Sequence, residues 1–159
     1  MKLEWIILAE GIGQDSRGAF TLIGINQNVL TIPRLPRATK RIVMPHLVVD
    51  EKEFKPGDSV AFKVSVISPS NEILSAHPGQ ITLGEVMWPD LPVALDLPVD
   101  VMLNCSEYGA YRVEVIAQLG GDSVKSDVII YVRQPTPEDR GGPTGVAQPF
   151  QNSEDLAKS

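Results

Sequence analysis

The most informative ten residues of the chain read Ser106-Glu107-Tyr108-Gly109-Ala110-Tyr111-Arg112-Val113-Glu114-Val115. A glycine stands two residues before a tyrosine, and alternating apolar side chains then continue into a strand. This layout is typical of a tyrosine corner, in which the tyrosine hydroxyl bonds to backbone a few residues upstream and fixes the crossover between two sheets. We therefore predict an all-β fold, an antiparallel immunoglobulin-like β-sandwich, with structural roles for Tyr111 and Gly109.

Alternation of apolar and polar residues extends this interpretation along the chain. Successive side chains of a strand point to opposite faces of the sheet, so period two indicates half-buried strands. Candidate strands at 3–9, 20–25, 40–49, 60–66, 81–87, 93–103, 111–119 and 124–132 give about eight in all. Their shared phase predicts a core formed by Val60, Phe62, Val64, Leu95, Leu97, Val99, Val101, Tyr111, Val113, Val115, Val128 and Ile130.

Prolines and glycines indicate where the strands turn or break. Pro98 and Pro45 each remove a ladder hydrogen bond. This predicts an edge position or a bulge at Pro98, and an edge or a bend at Pro45. Residues 3–9 and 20–25 read as a first hairpin joined through the polar loop at 11–18. Pro78-Gly79 reads as a turn.

Length and composition predict one domain followed by a tail. At 159 residues, with 43% hydrophobic residues, the chain can bury a core. After Arg133 the apolar content falls sharply, so we predict a β-sandwich domain at 1–133 and a disordered Pro/Gly-rich tail at 134–159. Two interpretations of the tail stay open: a segment that serves only solubility, and a short motif in which Phe150 and Leu156 dock on a partner.

Charge and cysteine content restrict the classes of function. The net charge of −6 disfavours a general nucleic-acid binder. Cys105 is the only cysteine, so the chain cannot form an intramolecular disulfide. The short apolar run before Glu10 does not match an export signal, and no run approaches the roughly 20 apolar residues of a membrane helix. We expect a soluble cytoplasmic protein without membrane contact.

Basic residues are concentrated in one segment. Residues 16–49 contain no acidic residue and carry a charge of +5, which leaves −11 on the rest of the chain. Four of the five basic residues lie close together, namely Arg34, Arg37, Lys40 and Arg41. One interpretation is a contact for an acidic partner. The other is a solvated loop that protects a strand edge from pairing with other chains.

Catalytic and metal-binding patterns are not recognisable in the sequence. His46 and His77 are the only histidines, and neither is spaced with Cys or carboxylates as metal ligands are. Cys105 has no basic neighbour in sequence to activate it, so we expect an inert buried thiol. We predict no enzyme activity, no catalytic residues, no metal and no cofactor.

Three short motifs resemble a family of small bacterial β-sandwich proteins of unknown function. They are Leu8-Ala9-Glu10-Gly11, the loop Gln14-Asp15-Ser16-Arg17-Gly18 with the following Leu22-Ile23-Gly24-Ile25, and the Gly109-x-Tyr111 corner. The similarity spans residues 1 to about 133. It implies the sandwich fold and a bacterial origin, and it implies no activity and no site residues.

The function predicted from these features is a non-enzymatic protein-interaction or assembly module. Its partner would be another protein or a second copy of the chain, and Arg34, Arg37, Lys40 and Arg41 would contact it. The alternative is a small-ligand carrier that holds its ligand between the two sheets.

Overall fold

The computed structural model describes residues 1–25, 28–85 and 91–140. Within these ranges the regular structure consists of strands and two short 3-10 helices, Glu51–Glu53 and Pro137–Arg140. The strands are β1 (Lys2–Ala9), β2 (Gly11–Gln14), β3 (Phe20–Ile23), β4 (Val29–Thr31), β5 (Arg37–Val49), β6 (Ser59–Ile67), β7 (Ile73–Thr82), β8 (Val93–Asp96), β9 (Val99–Cys105), β10 (Gly109–Leu119) and β11 (Asp122–Arg133). The all-β prediction is confirmed. Neither of the two helices in the described ranges has the length and hydrophobicity of a membrane-spanning segment.

The strands form two main sheets and one small hairpin. In the first sheet β5 lies between β1 on one side and β8 and β9 on the other. The second sheet has the order β4-β11-β10-β6-β7. Neighbouring strands of this sheet run antiparallel, except that β4 runs parallel to β11. The hairpin consists of β2 and β3.

Side chains from both main sheets share one core. The larger cluster brings Leu8, Val43 and Leu103 of the first sheet together with Val64 and Val113 of the second. A smaller cluster, around Leu47, Val60 and Leu119, also contains residues of both sheets. Each buried valine or leucine contributes about 1.5–3 kcal/mol relative to leaving it exposed. The shared cores therefore hold the two sheets together.

The predicted core residues lie where the period-two pattern placed them. Eight of the twelve are buried: Val60, Val64, Leu97, Val101, Tyr111, Val113, Val115 and Ile130. The other four, Phe62, Leu95, Val99 and Val128, are half-buried and pack against the core clusters. The prediction of these inward rows is confirmed.

The predicted first hairpin is wrong. β1 pairs with β5, from Lys2↔Val48 to Ala9↔Ile42, while β3 pairs with β2. The physical reason is burial, because β3 has one half-buried residue, Leu22, and offers little apolar surface for Leu8 and Ala9 to pack against. β5 supplies that surface. The short strands β2 and β4 were not predicted, so the described residues form more strands than the expected eight.

The turn predicted at Pro78-Gly79 is also wrong, because both residues lie inside β7. β7 is an edge strand of the second sheet, where one side needs no ladder hydrogen bonds and a proline is tolerated. Gly79 lies opposite Phe62 of β6, whose ring occupies the space that a side chain would fill. Of the strand predicted at 81–87, residues 81–82 belong to β7, and residues 86–87 lie outside the described residues.

Two prolines interrupt the first sheet at one point. β8 and β9 follow β5 in the same register and are separated only by Leu97 and Pro98. The Leu97 N–H donates to the Pro45 carbonyl at 3.1 Å, but Pro45 has no N–H to return the bond. Pro98 lies at the edge of the first sheet, as predicted, but the strand predicted at 93–103 is divided there into β8 and β9. Of the two alternatives for Pro45, an edge or a bend, the edge is wrong, because β5 is the central strand and its proline lies at the break in the ladder.

An ion pair holds the chain beyond β11. The Arg133 guanidinium donates to both carboxylate oxygens of Asp139, at 2.8 and 2.9 Å. Asp139 also accepts from the backbone N–H and the hydroxyl of Thr136. These contacts fix the turn that leads into Pro137–Arg140. The rest of the predicted tail, including Phe150 and Leu156, lies outside the described residues.

We expect this turn to be stable at neutral pH and to open only in strong acid. The hydrogen bonds from Arg133, and then those from Thr136, lower the pKa of Asp139 from 3.8 to about 2. A carboxyl group with a lowered folded pKa stabilises the folded form fully above its unfolded pKa, and this stabilisation is lost as the pH falls through the folded pKa. An NMR titration of the Asp139 carboxyl carbon should give a midpoint near 2. In Arg133→Gln the midpoint should move towards 3.8, and an unchanged midpoint would show that the ion pair does not set it.

Candidate functional site

A groove lies between one edge of each main sheet. β1 pairs with β5 only from Ile42 onwards, so residues 37–41 of β5 have a strand neighbour, β9, on one side only. β4 likewise pairs with β11 on one side. The space between these two edges has a volume of about 260 Å³ and is lined by residues 30–33 and by Arg37, Thr39 and Arg41. We call it the basic groove.

The four basic residues of the predicted partner site do not lie together, because successive side chains of β5 point to opposite faces of the sheet and Arg34 precedes the strand. Arg37 and Arg41 are an even number of residues apart, so they lie on the same face of β5 and both line the basic groove. Lys40 belongs to the opposite face, where its ammonium group pairs with Asp100 at 2.9 Å. Arg34 is exposed in the turn between β4 and β5. The fold therefore brings Arg37 and Arg41 together and leaves Lys40 apart from them.

Arg41 is the buried charge of the groove, with 8% of its surface exposed. One terminal nitrogen, Nη1, donates to the Lys40 carbonyl at 2.8 Å and to the Thr39 hydroxyl at 3.1 Å. The other, Nη2, lies 3.6 Å from a carboxylate oxygen of Glu10. The third nitrogen, Nε, is buried and has no hydrogen-bond partner in the described part of the chain. A buried N–H of a charged group without a partner is costly, so this atom has unused capacity to bind an acceptor.

Cys105 lies in β9 opposite Arg37 and is fully buried. Burial raises the pKa of its thiol, and the positive charge of Arg41 offsets part of this increase. The raised pKa keeps the thiol protonated at neutral pH and therefore weakly nucleophilic. This agrees with the inert buried thiol expected from the sequence.

Thr39 is a groove residue that the sequence analysis did not identify. It stands midway between Arg37 and Arg41, on the same face of β5, and its hydroxyl accepts from Arg41. The sequence contained a signal for it. Arg37, Thr39 and Arg41 are spaced by two residues and continue the row of the buried Val43, so all of them belong to one face of the strand. Proximity in sequence places Arg34, Arg37, Lys40 and Arg41 in one group, whereas the strand period assigns Arg37, Thr39 and Arg41 to one face.

Tyr111 and Gly109 form a separate arrangement at the start of β10. The Tyr111 hydroxyl donates to the Glu107 carbonyl at 2.9 Å and accepts from the backbone N–H groups of Ser106 and Glu107. The side chain is fully buried. Gly109 has φ +143°, and a Cβ there would lie 2.9 Å from the ring of Pro69. The geometry is that of a hydroxyl that fixes the backbone at the start of β10, which is a structural role.

The outer face of the first sheet carries a polar cluster. The rings of Trp5 and His46 stack with centroids 4.3 Å apart, and His46 Nδ1 lies 2.7 Å from a carboxylate oxygen of Asp96. The other histidine, His77, lies apart from this cluster, in β7 of the second sheet, with its Nε2 3.3 Å from the Ser75 hydroxyl. In the part of the chain that the structure describes, no three His, Cys, Asp or Glu side chains are grouped so that they could hold a metal ion.

Comparison with protein-family models and with curated proteins finds no match for this chain. The resemblance to small bacterial β-sandwich proteins therefore stays a prediction.

Proposed function

We propose that this chain is a non-enzymatic interaction module that binds an acidic protein partner through the segment containing Arg34 and Arg37. One observation carries the proposal: these two arginines are exposed, and neither has an ion-pair partner in the described residues. Exposed, unneutralised arginines attract acidic surfaces and form bidentate bonds to carboxylates. Lys40 and Arg41, in contrast, already have carboxylate neighbours within the chain.

The distribution of charge favours a protein partner. The +5 segment lies on a chain with −11 elsewhere, so the molecule has a strong charge asymmetry that steers an acidic partner to one side. A second copy of the chain fits this description, since its remaining surface is acidic. Nucleic acid fits poorly, because the net charge of −6 repels it. We place this interaction in the cytoplasm, in keeping with the free thiol of Cys105.

The immunoglobulin-like arrangement is also a proposal. It is supported by the strand order β4-β11-β10-β6-β7, by the separate sheet β1-β5-β8/β9 that shares its core, and by the three hydrogen bonds of Tyr111. Such a fold hosts many unrelated functions, so the proposed function depends on the arginines alone.

Reversing Arg34 and Arg37 to glutamate should slow association with the partner several-fold at low salt and flatten its salt dependence. The reason is that long-range attraction sets the encounter rate and is screened by salt. The partner is recovered by pull-down from a native lysate, identified, purified and then measured by biolayer interferometry. Self-association is measured by sedimentation of the purified chain.

The matched control is the double reversal of Lys55 and Lys63, which are exposed and lie elsewhere on the chain. Each reversal changes the charge by two, so both double variants go from −6 to −10. Equal rates for the two variants would mean that net charge, and not the Arg34–Arg37 surface, controls association. A chain that stays monomeric and retains no partner would contradict the proposal as a whole.

The small-ligand carrier has less support. Between the two sheets lie the side chains of the two core clusters, many of them fully buried. A carrier of this type needs an apolar cavity at that place. A crystal structure showing a ligand between the sheets would revive this alternative.

A further inference from the structure

We propose that the basic groove binds an extended peptide strand that carries a carboxylate, and that Arg41 anchors this carboxylate. The inference rests on the proposed function and specifies its partner: an acidic segment in strand conformation. Three features of the groove lead to it. Within the described ranges, the strand edges on both sides carry unpaired backbone groups and the buried guanidinium has an N–H donor without a partner. Apolar side chains lie beside the charge.

The backbone of β5 is available on the groove side. In an antiparallel ladder, alternate residues of a strand direct their N–H and C=O groups to opposite sides. Pro45 accepts from Leu97, so the odd-numbered residues of β5 face β8 and β9. Ala38 and Lys40 therefore direct their backbone groups to the groove. Of these groups, the Lys40 carbonyl is occupied by Arg41 Nη1, which leaves the N–H of Lys40 and both groups of Ala38 for a ligand.

The backbone of β4 is available in the same way. Tyr131 donates to the Asn28 carbonyl at 2.7 Å, and Ile32 donates to the Arg133 carbonyl at 2.9 Å. These bonds show that Ile32 faces β11, so the intervening Thr31 directs its backbone groups away from β11 and towards the groove. An extended peptide in the groove has strand edges beside it on both sides, which is the requirement for strand addition.

Arg41 selects the chemistry of the ligand. Its unpartnered Nε is buried, and a carboxylate oxygen is the strongest acceptor that a peptide can offer it. Arg37 lines the same groove with an exposed guanidinium, so a second acidic group can bind nearer the solvent. Leu30 and Ile32 are buried beside them and provide apolar surface for the side chains between the acidic ones. The matching ligand alternates acidic and apolar residues.

Glu10 limits this site. Its carboxylate lies 3.6 Å from Arg41 Nη2 and is partly exposed, so it competes with an acidic ligand for the guanidinium. Removing the charge of Glu10 should therefore strengthen binding. A purely structural role for Arg41 does not predict such a gain, which makes Glu10→Gln a sharp test.

The test uses the full chain and a fluorescein-labelled nine-residue peptide in which glutamate alternates with valine, measured by fluorescence anisotropy. Arg41→Lys keeps the charge but removes Nε–H, and we expect it to weaken binding about tenfold. Glu10→Gln should tighten binding several-fold. The charge control is Lys63→Glu, at an exposed position of β6 outside the groove lining, and it should leave the affinity at moderate salt nearly unchanged. Thermal melts of each variant show whether it is folded.

Two altered peptides and one competitor test the mode of binding independently of any variant. A peptide with glutamine for glutamate should bind much more weakly. A peptide N-methylated at alternate backbone nitrogens should also bind weakly, because it cannot pair with the strand edges, and equal binding of this probe would overturn strand addition. Inorganic phosphate that displaces the peptide at equal concentration would show a general anion site and overturn the peptide proposal.

The two proposals fail in different ways. If Arg41→Lys binds the peptide as well as the unchanged chain, the groove proposal is wrong, whatever the behaviour of Arg34 and Arg37. If the Arg34 and Arg37 reversals do not change the rate of association with the partner but the peptide still binds in the groove, the proposed capture surface is wrong. The groove proposal is then unaffected.

Discussion

Replacing Tyr111 with phenylalanine should lower the free energy of unfolding by about 1–3 kcal/mol, because buried partners of its hydroxyl are left unsatisfied. The hydroxyl bonds the carbonyl of Glu107 and the N–H groups of Ser106 and Glu107, so one oxygen atom holds three backbone groups. The ring itself remains and keeps the core filled. Urea denaturation should show a lower midpoint with an unchanged slope.

The matched control is Tyr131→Phe. Tyr131 lies in the adjacent strand β11 and has 51% of its surface exposed. Removing its hydroxyl should therefore change the free energy of unfolding by less than about 0.5 kcal/mol. Equal midpoints for the two variants would mean that the three hydrogen bonds of Tyr111 contribute nothing measurable. A changed slope would indicate altered compactness of the unfolded or native state.

The sequence predicts the inward rows of the long strands because burial there follows a strict period of two. The row from Val93 to Leu103 continues through Pro98 without a change of phase, even though the ladder breaks at that point. β10 shows the same regularity, since Tyr111, Val113 and Val115 are all fully buried. In these segments the residues that the apolar pattern assigns to the inner face are the residues that the fold buries.

Strand pairing was harder to predict because it depends on contacts distant in the chain. Residues 3–9 and 20–25 are close in sequence and looked like a hairpin, yet β1 pairs with β5. The buried residues of β1 need an apolar neighbour that β3 does not provide. β7 was missed for another reason: Pro78-Gly79 has the composition of a turn, but Gly79 pairs with Phe62, seventeen residues earlier, in an edge strand.

The site was predicted in part. Charge counting located the basic segment, and the strand period could have assigned Arg37, Thr39 and Arg41 to one face. The groove itself could not be predicted, because it requires β1 to end its pairing at Ile42 and β4 to pair with β11. The burial of Arg41 and its contact with Glu10 follow from those two pairings.

Replacing Gly79 with alanine should destabilise the fold by about 1–3 kcal/mol, although alanine is normally better tolerated in a strand than glycine. A Cβ at this position would lie 2.7 Å from Cε1 and 2.8 Å from Cε2 of Phe62, and closer still to Cζ. Two carbon atoms in contact need about 3.5 Å or more. The ring must therefore move, and it packs against both core clusters. Thermal or urea denaturation measures the loss.

Gly13→Ala is the matched control because Gly13 also lies in a strand, β2, and a Cβ there meets nothing within 4 Å. It should be neutral, or stabilising by up to about 1 kcal/mol through the unfolded state. If Gly79→Ala behaved like this control, the ring of Phe62 would not lie over the backbone of β7.

A double-mutant cycle isolates the contact between the two residues. Phe62→Leu alone should also be destabilising, because it removes apolar volume beside both core clusters. In the double variant the leucine no longer occupies the space that the new methyl group needs, so part of the loss from Gly79→Ala should be recovered. The double variant should therefore be more stable than the sum of the single effects predicts, by about 0.5–3 kcal/mol. Strict additivity would mean that Gly79 is required for its backbone conformation or for pairing with β6. A favourable coupling would show that the glycine in this edge strand is there to accommodate the ring of Phe62.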